Sequence, residues 1–282
     1  MKQKIYLDGG GFRGLECSSG LNKNKIVEWT LDKSQSKISI SVDRATIASP
    51  QKSEMSFGWF CESSSIIPNV IKEVLGNLNF YKRKYKYIFS HDRRIVSHDP
   101  SFFKYALAPG KPWIQNKQIY EKNKLISFIG SNKVMCAGHR YRQSIIRETE
   151  GKVDHYGSGF GARELPAFIE RNGITETGKL LGLKDYMFSI AMENDNYPDI
   201  FTEKITDCFA VGTIPIFWGS PIIGEHFDKN GIIMLEDLED LSLLNSDLYN
   251  SKMESIQKNF ELCKKMPTAE DFIFENYLKE LL

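Results

Sequence analysis

The sequence of 282 residues predicts an α/β fold with parallel sheets. The apolar runs Met187–Met192 and Thr213–Trp218 have the length and composition of buried strands. Between them, Thr202 is placed to cap a short helix and Gly212 to end it, which gives the strand–helix–strand unit of a parallel sheet. The chain is also long enough for two α/β domains of modest size.

A break in the chain marks the predicted domain boundary. The segment Ala106–Pro112 contains two prolines and a glycine, which interrupt regular structure. We predict a linker at about 107–122, a smaller N-terminal domain of residues 1–115 and a C-terminal domain of residues 116–282.

The remaining elements follow from apolar periodicity and turn residues. In the first half we predict a helix over Pro68–Leu78 and strands at Lys4–Leu7, Ile26–Leu31, Lys37–Val42, Met55–Cys61 and Tyr85–Ser90. The triple glycine Gly9–Gly11 lacks the spacing of a dinucleotide-binding loop and is interpreted as a turn. In the second half we predict strands at Lys124–Ile129, Lys152–Gly157 and Gly231–Leu235, a loop at Gly157–Gly161, and helices ending near Glu148 and over Ala162–Asn172, Leu238–Leu244, Ser251–Met266 and Ala269–Leu282.

Composition excludes several classes of protein. The chain has 37 basic and 36 acidic residues, whereas a dedicated nucleic-acid-binding protein usually has a basic surplus. Its five cysteines include no Cys-x-x-Cys pair, which favours reduced thiols in the cytoplasm over a disulfide framework. The polar start Met1–Asp8 predicts no signal peptide, and no apolar run reaches transmembrane length. We therefore expect a cytoplasmic protein with at most peripheral membrane contact.

Metal and esterase sites are not predicted. The histidines and cysteines show no zinc-like spacing, and no Asp-x-Asp lies beside a predicted strand end. The segment Gly157-Ser158-Gly159 lacks the frame of a nucleophilic serine elbow. We expect no bound metal and no required cofactor.

The start of the central helix is a candidate anion site. Lys204 lies in its first turn, where the helix dipole makes a cation unfavourable unless an anion is bound there. Backbone N–H groups and this lysine would bind a phosphate, and Glu203 would accept hydrogen bonds from ribose hydroxyls. The alternative is a solvated ion pair on an exposed turn, and the residues alone leave both open.

A second candidate anion site follows the strand Lys124–Ile129. The turn Gly130–Lys133 leads into a helix that carries Arg140 and Arg142. Turn backbone and an arginine fork together suit a diphosphate. The alternative is a basic helix face that points to water.

Glu62 is a candidate general base. It follows a predicted strand, where α/β sheets place functional groups, and Trp59, Phe60 and Cys61 precede it. We expect these residues to surround the carboxylate with apolar side chains, which suits a base that works near neutral pH. An ordinary solvated loop glutamate is the alternative, and it is the one that the residues alone favour.

Two segments resemble a known family. Glu193-Asn194, then Thr202-Glu203-Lys204-Ile205, then the run from Gly212 to Pro221 closely resemble the donor-site signature of the α1,3/α1,4-fucosyltransferases of glycosyltransferase family 10. Residues 59–64, Trp-Phe-Cys-Glu-Ser-Ser, are similar to that family's Phe-Glu-Ser-Pro element, with Ser64 in place of the proline. The resemblance implies a soluble bacterial or viral enzyme with two Rossmann-like domains facing a cleft, the GT-B type. It also implies inverting transfer of fucose from GDP-fucose to a glycan.

The resemblance assigns roles to individual residues. Glu62 would be the catalytic base in the acceptor domain. The donor would be bound by Arg142 and, second to it, Arg140, together with Ser131, Asn132, Asn194, Tyr197, Glu203 and Lys204. Ile200 stands where the family often has a tyrosine, and Tyr197 is its nearest substitute. Two alternatives therefore stay open: a different nucleotide sugar, or a non-catalytic protein that binds nucleotide sugars or carbohydrate.

Overall fold

A computed structural model describes residues 2–9, 12, 16–48, 55–159, 161–171 and 173–282. The chain forms two compact units, one of Met1–Pro109 with Pro267–Leu282 and the other of Gly110–Met266. Gly10 and Gly11 of the predicted glycine turn, Phe160 of the predicted loop and Asn172 of a predicted helix lie outside the described residues.

The first unit contains a parallel six-stranded sheet. Its strands are β1 (Gln3–Asp8), β2 (Val27–Thr30), β3 (Ile38–Val42), β4 (Met55–Phe60), β5 (Tyr87–Ser90) and β6 (Phe103–Tyr105). They pair side by side in the order β2-β1-β3-β4-β5-β6. Its helices in this part of the chain are α1 (Ala45–Ala48), α2 (Pro68–Gly76), α3 (Leu78–Lys84) and α4 (Arg93–His98). Pro68 begins α2, where its missing N–H has no intrahelical partner to lose.

The second unit contains a parallel five-stranded sheet and a separate hairpin. Its strands are β7 (Lys124–Gly130), β8 (Asp154–Gly157), β9 (Phe168–Arg171), β10 (Ile174–Thr177), β11 (Tyr186–Met192), β12 (Ile214–Trp218) and β13 (Ile233–Met234). The main sheet has the order β13-β12-β11-β7-β8. The helices are α5 (Ala137–Glu148), α6 (Lys179–Leu183), α7 (Glu203–Ala210), α8 (Ser246–Ser251) and α9 (Met253–Lys265). The prediction of an α/β fold with parallel sheets is confirmed.

The predicted helix over Ala162–Asn172 is wrong. Strands β9 and β10 pair there as an antiparallel hairpin, with Arg171 opposite Ile174. The sequence between the strands is Asn-Gly, a strong hairpin signal, and Gly173 adopts a positive φ of 77°. Turn chemistry therefore outweighed the apolar spacing that suggested a helix.

The predicted helix over Leu238–Leu244 is also wrong. The structure has two single 3-10 turns in this region, Leu235–Asp237 and Leu241–Leu243. The carboxylate of Asp240 accepts a hydrogen bond from the N–H of Ser242 at 2.7 Å. This local bond stabilises a tight turn in place of a longer helix.

The C-terminal segment belongs to the first unit, which corrects the predicted boundaries of 1–115 and 116–282. Helix α10 (Ala269–Ile273) continues into a π-helical turn, Phe274–Leu278, and a final 3-10 turn, Lys279–Leu281. Ile273, Phe274 and Leu278 pack into the core formed around Ile5 and Phe57. The Asp271 carboxylate accepts the backbone N–H groups of Lys25, Ile26 and Val27 at 2.7, 3.0 and 3.2 Å. These contacts supply core volume and hydrogen-bond partners to the β2 end of the first sheet.

In the described part of the chain, no helix combines the length and the apolar character needed to cross a membrane.

Candidate functional site

A cavity of about 160 Å³ lies in the second unit, where β7 and β11 end and α7 begins. The carboxyl ends of parallel strands are where sheets of this kind bind ligands. Three cationic and two acidic side chains line it, together with Ser131: Arg142, Lys179, Lys204, Glu203 and Asp207. The structure therefore brings four predicted donor residues to one place, Ser131, Arg142, Glu203 and Lys204.

Lys204 is held at the start of α7 by a buried carboxylate. Its Nζ lies 3.0 Å from Glu193 Oε2 and 2.8 Å from Thr202 Oγ1. Burial alone would lower the pKa of Lys204, but the charges of Glu193 and Glu203 outweigh it and raise the pKa. Lys204 is thus charged and oriented, and it is not the freely solvated cation of the alternative interpretation.

Glu193 organises the approach to α7. It is 1% exposed, follows β11, and accepts the N–H of Thr202 at 2.7 Å as well as the Thr202 hydroxyl at 2.9 Å. Thr202 occupies the predicted N-cap position, but its hydroxyl donates to Glu193 and makes no capping bond to the helix. The Thr202 side chain therefore leaves the first backbone N–H groups of α7 uncapped.

Lys179 of α6 forms a second ionic cluster. Its Nζ lies 2.9 Å from both Glu203 Oε1 and Asp207 Oδ2, and 4.6 Å from the centre of the Trp113 ring. Burial would raise the pKa of Glu203, but the charges of Lys179 and then Lys204 lower it to about 2. Glu203 is therefore an ionised hydrogen-bond acceptor at neutral pH.

Arg142 has unused hydrogen-bonding capacity. The residue is 5% exposed, and its Nη2 donates to Ser131 Oγ at 3.0 Å. Its Nε is buried without a hydrogen-bond partner among the described residues. A buried donor of this kind is costly unless an acceptor reaches it, which an oxygen-rich anion in the cavity would do. Arg140, two residues earlier, is exposed and is not among the residues that line the cavity.

Asn194 lies against the start of α5. His139 Nδ1 accepts the N–H of Met135 at 3.1 Å, so its Nε2 carries the proton that is donated to Asn194 Oδ1 at 2.9 Å. A Cβ at Gly138 would come within 2.2 Å of the Asn194 carbonyl oxygen. Only glycine permits this approach, so Asn194 fixes the position of the helix that carries Arg142.

The other predicted donor residues lie apart from this cavity. Asn132 is exposed, whereas Tyr197 and Ile200 are buried at 4% and 2% exposure. The described residues that line the cavity include none of the three. Neither Tyr197 nor Ile200 thus offers an aromatic or apolar surface to this cavity.

Glu62 follows β4 in the first unit. Its side chain is exposed, and Trp59 and Phe60 point into the core at 0% and 1% exposure. The prediction that these residues surround the carboxylate with apolar side chains is therefore wrong, because alternate strand residues face opposite sides of the sheet and both sides are covered here.

The loop that carries Glu62 is anchored by Asp43. Asp43 Oδ1 accepts the N–H groups of Cys61 and Glu62 at 2.8 and 3.1 Å. Asp43 also has a positive φ of 48°, an uncommon conformation for a residue with a side chain. Burial raises the pKa of its carboxyl to about 7.

Asp92 at the end of β5 is a neighbouring acidic group with its own partners. It accepts the Ser64 hydroxyl at 2.5 Å and Arg94 Nη2 at 2.7 Å. Burial would raise the pKa of Asp92, but its bonds to Arg94 and Ser64 lower it. Asp92 is thus committed to a salt bridge, whereas Glu62 is exposed.

Sequence reasoning assigned no individual role to Lys179, Glu193 or Asp207. Asp207 lies four residues after Glu203 in α7, so helical spacing places both on one face and was a usable signal. Glu193 stands beside the predicted Asn194 at a strand end. Lys179 opens a five-residue helix with little apolar periodicity, and its sequence carried no comparable signal.

Among the described residues, no group of three or more histidine, cysteine, aspartate or glutamate side chains is arranged to hold a metal ion.

Comparison with known proteins identifies relatives. Residues 119–264 match the family model described as glycosyltransferase family 10 (fucosyltransferase) C-term. Alpha-(1,3)-fucosyltransferase B of Drosophila melanogaster is 30% identical over 171 residues, which are 57% of this chain and 38% of that protein. Alpha-(1,3)-fucosyltransferase FucT of Helicobacter pylori is 35% identical over 57 residues, 20% of this chain and 12% of that protein. The chain thus spans well under half the length of these relatives.

Solved structures share the fold. The crystal structure of an alpha1,3-fucosyltransferase with GDP-fucose has a TM-score of 0.53 and covers 99% of this chain and 89% of its own, at 12% identity. At that identity the likeness establishes the fold alone. The family model, however, matches more than half of the chain, and the chain therefore belongs to glycosyltransferase family 10, the fucosyltransferase family.

Proposed function

We propose that the protein transfers fucose from GDP-fucose to a hydroxyl of a glycan acceptor, with inversion at the sugar C1. The observation that carries this proposal is the cavity in which the buried Nε of Arg142 has no hydrogen-bond partner among the described residues, while Lys204 and the ionised Glu203 line the same space. Family membership and the likeness in fold to an alpha1,3-fucosyltransferase crystallised with GDP-fucose support it.

The second unit would bind the donor. The fork of Arg142 and the ammonium of Lys204 suit the diphosphate, and Glu203 suits the ribose hydroxyls. A cavity of about 160 Å³ is smaller than the ~300–1,000 Å³ of typical ligand pockets. We infer that it receives the diphosphate and ribose, and that the base and fucose extend beyond it.

The first unit would supply the base. Glu62 would take the proton from the acceptor hydroxyl as that oxygen forms a bond to C1 of fucose. The bond from C1 to the diphosphate oxygen breaks on the opposite face, and GDP leaves. One displacement of this geometry inverts the configuration at C1. Arg142 and Lys204 would stabilise the negative charge that develops on the leaving diphosphate.

For the domain roles, the cofactor requirement and the localisation, we keep the predictions made from the sequence. We propose a GT-B arrangement in which the N-terminal domain binds the acceptor and the second domain the donor. We further propose that transfer requires no metal or other cofactor, and that the protein is of the soluble bacterial or viral type and works in the cytoplasm.

A second candidate function is transfer of a different sugar. It is favoured by Ile200, which replaces an aromatic residue of the family and is buried, with Tyr197, apart from the cavity. The test is a donor panel of GDP-fucose, GDP-mannose and UDP-galactose, each with galactose- and N-acetylglucosamine-containing acceptors. Transfer from GDP-fucose alone supports the first proposal, and transfer from another donor supports the second. Tight GDP-fucose binding with no transfer to any acceptor would instead indicate a non-catalytic binding protein.

A further inference from the structure

Lys179 lies at the centre of contacts that the proposed reaction does not explain. We propose that Lys179 is a positioning residue, which holds the Glu203 carboxylate in the orientation that receives the ribose hydroxyls of the donor. This inference rests on the proposed function, because it assigns a role within the same cavity. It differs from the direct reading of the site, in which each of the three cations that line the cavity contacts phosphate.

The positive charge of Lys179 is already neutralised by two carboxylates. Its Nζ lies 2.9 Å from one oxygen of Glu203 and 2.9 Å from one oxygen of Asp207. The side chain is 19% exposed, and those of Glu203 and Asp207 are 14% and 1% exposed. A lysine bonded to two largely buried carboxylates has little charge left for a phosphate, whereas Arg142 Nε has no hydrogen-bond partner within the described part of the chain.

Lys204 does not hold the Glu203 carboxylate in place of Lys179. Lys204 Nζ lies 4.0 Å from Glu203 Oε1 but 3.0 Å from Glu193 Oε2. Lys204 is therefore bonded to Glu193, and Lys179 makes the shorter contact with Glu203. Because Glu203 is the first residue of α7, a defined rotamer there depends on a partner from outside the helix.

Lys179 is itself held in place by contacts from outside the cavity. Asp207 Oδ1 accepts the backbone N–H groups of Trp113 and Ile114 at 2.7 and 3.1 Å, which leaves Oδ2 for Lys179. The ammonium also lies 4.6 Å from the Trp113 ring centre, within cation–π range. The orientation of Glu203 is thus set by a chain of contacts that runs from segment 113–114 through Asp207 and Lys179.

Ribose analogues distinguish positioning from phosphate binding or a general structural role. The experiment measures the dissociation constants of GDP and 2′,3′-dideoxy-GDP by calorimetry for the wild type, Lys179→Met and Glu203→Gln. If Glu203 binds the ribose hydroxyls, the wild type prefers GDP by about 10- to 100-fold, the range expected for hydrogen bonds to a charged group. Lys179→Met and Glu203→Gln should both remove most of that preference. Each should raise the dissociation constant of GDP, while the dissociation constant of 2′,3′-dideoxy-GDP stays within about threefold of its wild-type value.

Controls keep the result interpretable. Lys184→Met, at the end of the same helix, removes a lysine bonded to Asp185 outside the cavity and should leave both constants unchanged. Lys179→Met/Asp207→Asn removes one positive and one negative charge together, and it retains an oxygen for the backbone N–H groups. It replaces the single variant if that variant fails to fold. Lys179→Arg keeps a cation and should recover part of the preference for GDP.

Four outcomes would overturn the inference. If Lys179→Met weakened the binding of both nucleotides equally, Lys179 would contact phosphate or only support the fold. An unchanged preference for GDP would show that Glu203 does not depend on Lys179. A wild type that binds both nucleotides equally would remove the ribose role while leaving the proposed transfer intact, whereas a wild type that binds neither would remove the proposed function as well.

Discussion

The two predicted halves of the reaction each follow a strand of a parallel sheet but are built differently. Glu203 and Lys204 follow β11 in the second unit, and Glu62 follows β4 in the first. At the first of these places, the carboxylates and ammonium groups are largely buried and joined in ion pairs of 2.9–3.0 Å. At the second, a single exposed carboxylate is carried on a loop that Asp43 anchors through two backbone N–H groups.

This difference indicates how each half meets its substrate. A nucleotide sugar has fixed charges at fixed spacing, so a preorganised and charge-balanced cavity suits it. An acceptor glycan is large and mostly uncharged, and the exposed carboxylate that we propose as the base would accommodate it with few constraints. Mutations at the two places should therefore separate turnover from nucleotide affinity.

The largest expected effect is on turnover. Glu62→Gln should lower the transfer rate by about 100- to 10,000-fold, because the amide keeps the shape but cannot accept the acceptor's proton. GDP affinity should stay unchanged, since Glu62 belongs to the first unit and the cavity to the second. The measurements are the initial rate of transfer and a calorimetric titration with GDP, with exposed Glu28→Gln as the control. A joint loss of rate and affinity would contradict the separation of the two halves.

The next effect is on nucleotide affinity. Arg142→Ala should weaken GDP binding by about 1.5–3 kcal/mol, the range for loss of charge-assisted hydrogen bonds. Arg140→Ala is a matched control on the same helix, and because Arg140 is exposed its effect should be much smaller. Calorimetry on both variants tests the assignment. A greater loss from Arg140→Ala would show that the diphosphate binds elsewhere on α5.

A smaller effect concerns the anchor of the Glu62 loop. The pKa of Asp43 is raised to about 7 from an ordinary value of 3.8, so between these pH values the folded protein holds a proton that the unfolded chain releases. The free energy of unfolding should therefore decrease as pH rises through this range, by about 1 kcal/mol after allowance for partial exposure. Asp43→Asn keeps an oxygen for the backbone N–H groups and should flatten this dependence.

Urea unfolding of the wild type and Asp43→Asn at pH 4.5, 6 and 7.5 measures the difference. Glu239→Gln, an exposed carboxylate in the second unit, serves as the control. Parallel pH profiles for the wild type and Asp43→Asn would show that the Asp43 carboxyl does not titrate near neutrality.

The smallest expected effect is that of chelation. We expect the transfer rate to stay within error after treatment with EDTA, because Arg142 and Lys204 would neutralise the diphosphate without a divalent cation. The measurement compares rates with EDTA, with added Mg²⁺ and with added Mn²⁺. A loss with EDTA that either ion restores would contradict this expectation and reveal a metal requirement.

Much of the fold was readable from the sequence because the decisive signals are local. Strands β11 and β12 appear as continuous apolar runs, since a parallel sheet covered on both faces buries every side chain. The hairpin of β9 and β10 was missed because apolar spacing was given more weight than the Asn-Gly turn between the strands. Local sequence patterns could not predict that α10 belongs to the first unit, because Asp271 bonds to backbone groups 244–246 residues away.

The residues of the candidate site were likewise predicted only in part. The family pattern identified Glu203, Lys204 and Arg142, and the structure places these three at one cavity. The residues that support them were missed, because Lys179 meets its partners Glu203 and Asp207 across 24 and 28 residues of chain. Glu62 is exposed, as the solvated-loop alternative predicted, and the apolar enclosure is absent since Trp59 and Phe60 face the core of their own sheet.

Residues 267–282 complete the first unit, although they are synthesised after the whole of the second. As the chain leaves the ribosome, the second unit is available as one continuous segment before Ile273, Phe274 and Leu278 can join the core of the first. Domains generally fold as units during synthesis, so we expect the second unit to form first and the first unit to close last. Until then, the backbone N–H groups of Lys25, Ile26 and Val27 lack the Asp271 carboxylate. The nascent first unit would therefore be the part of the chain most dependent on chaperones.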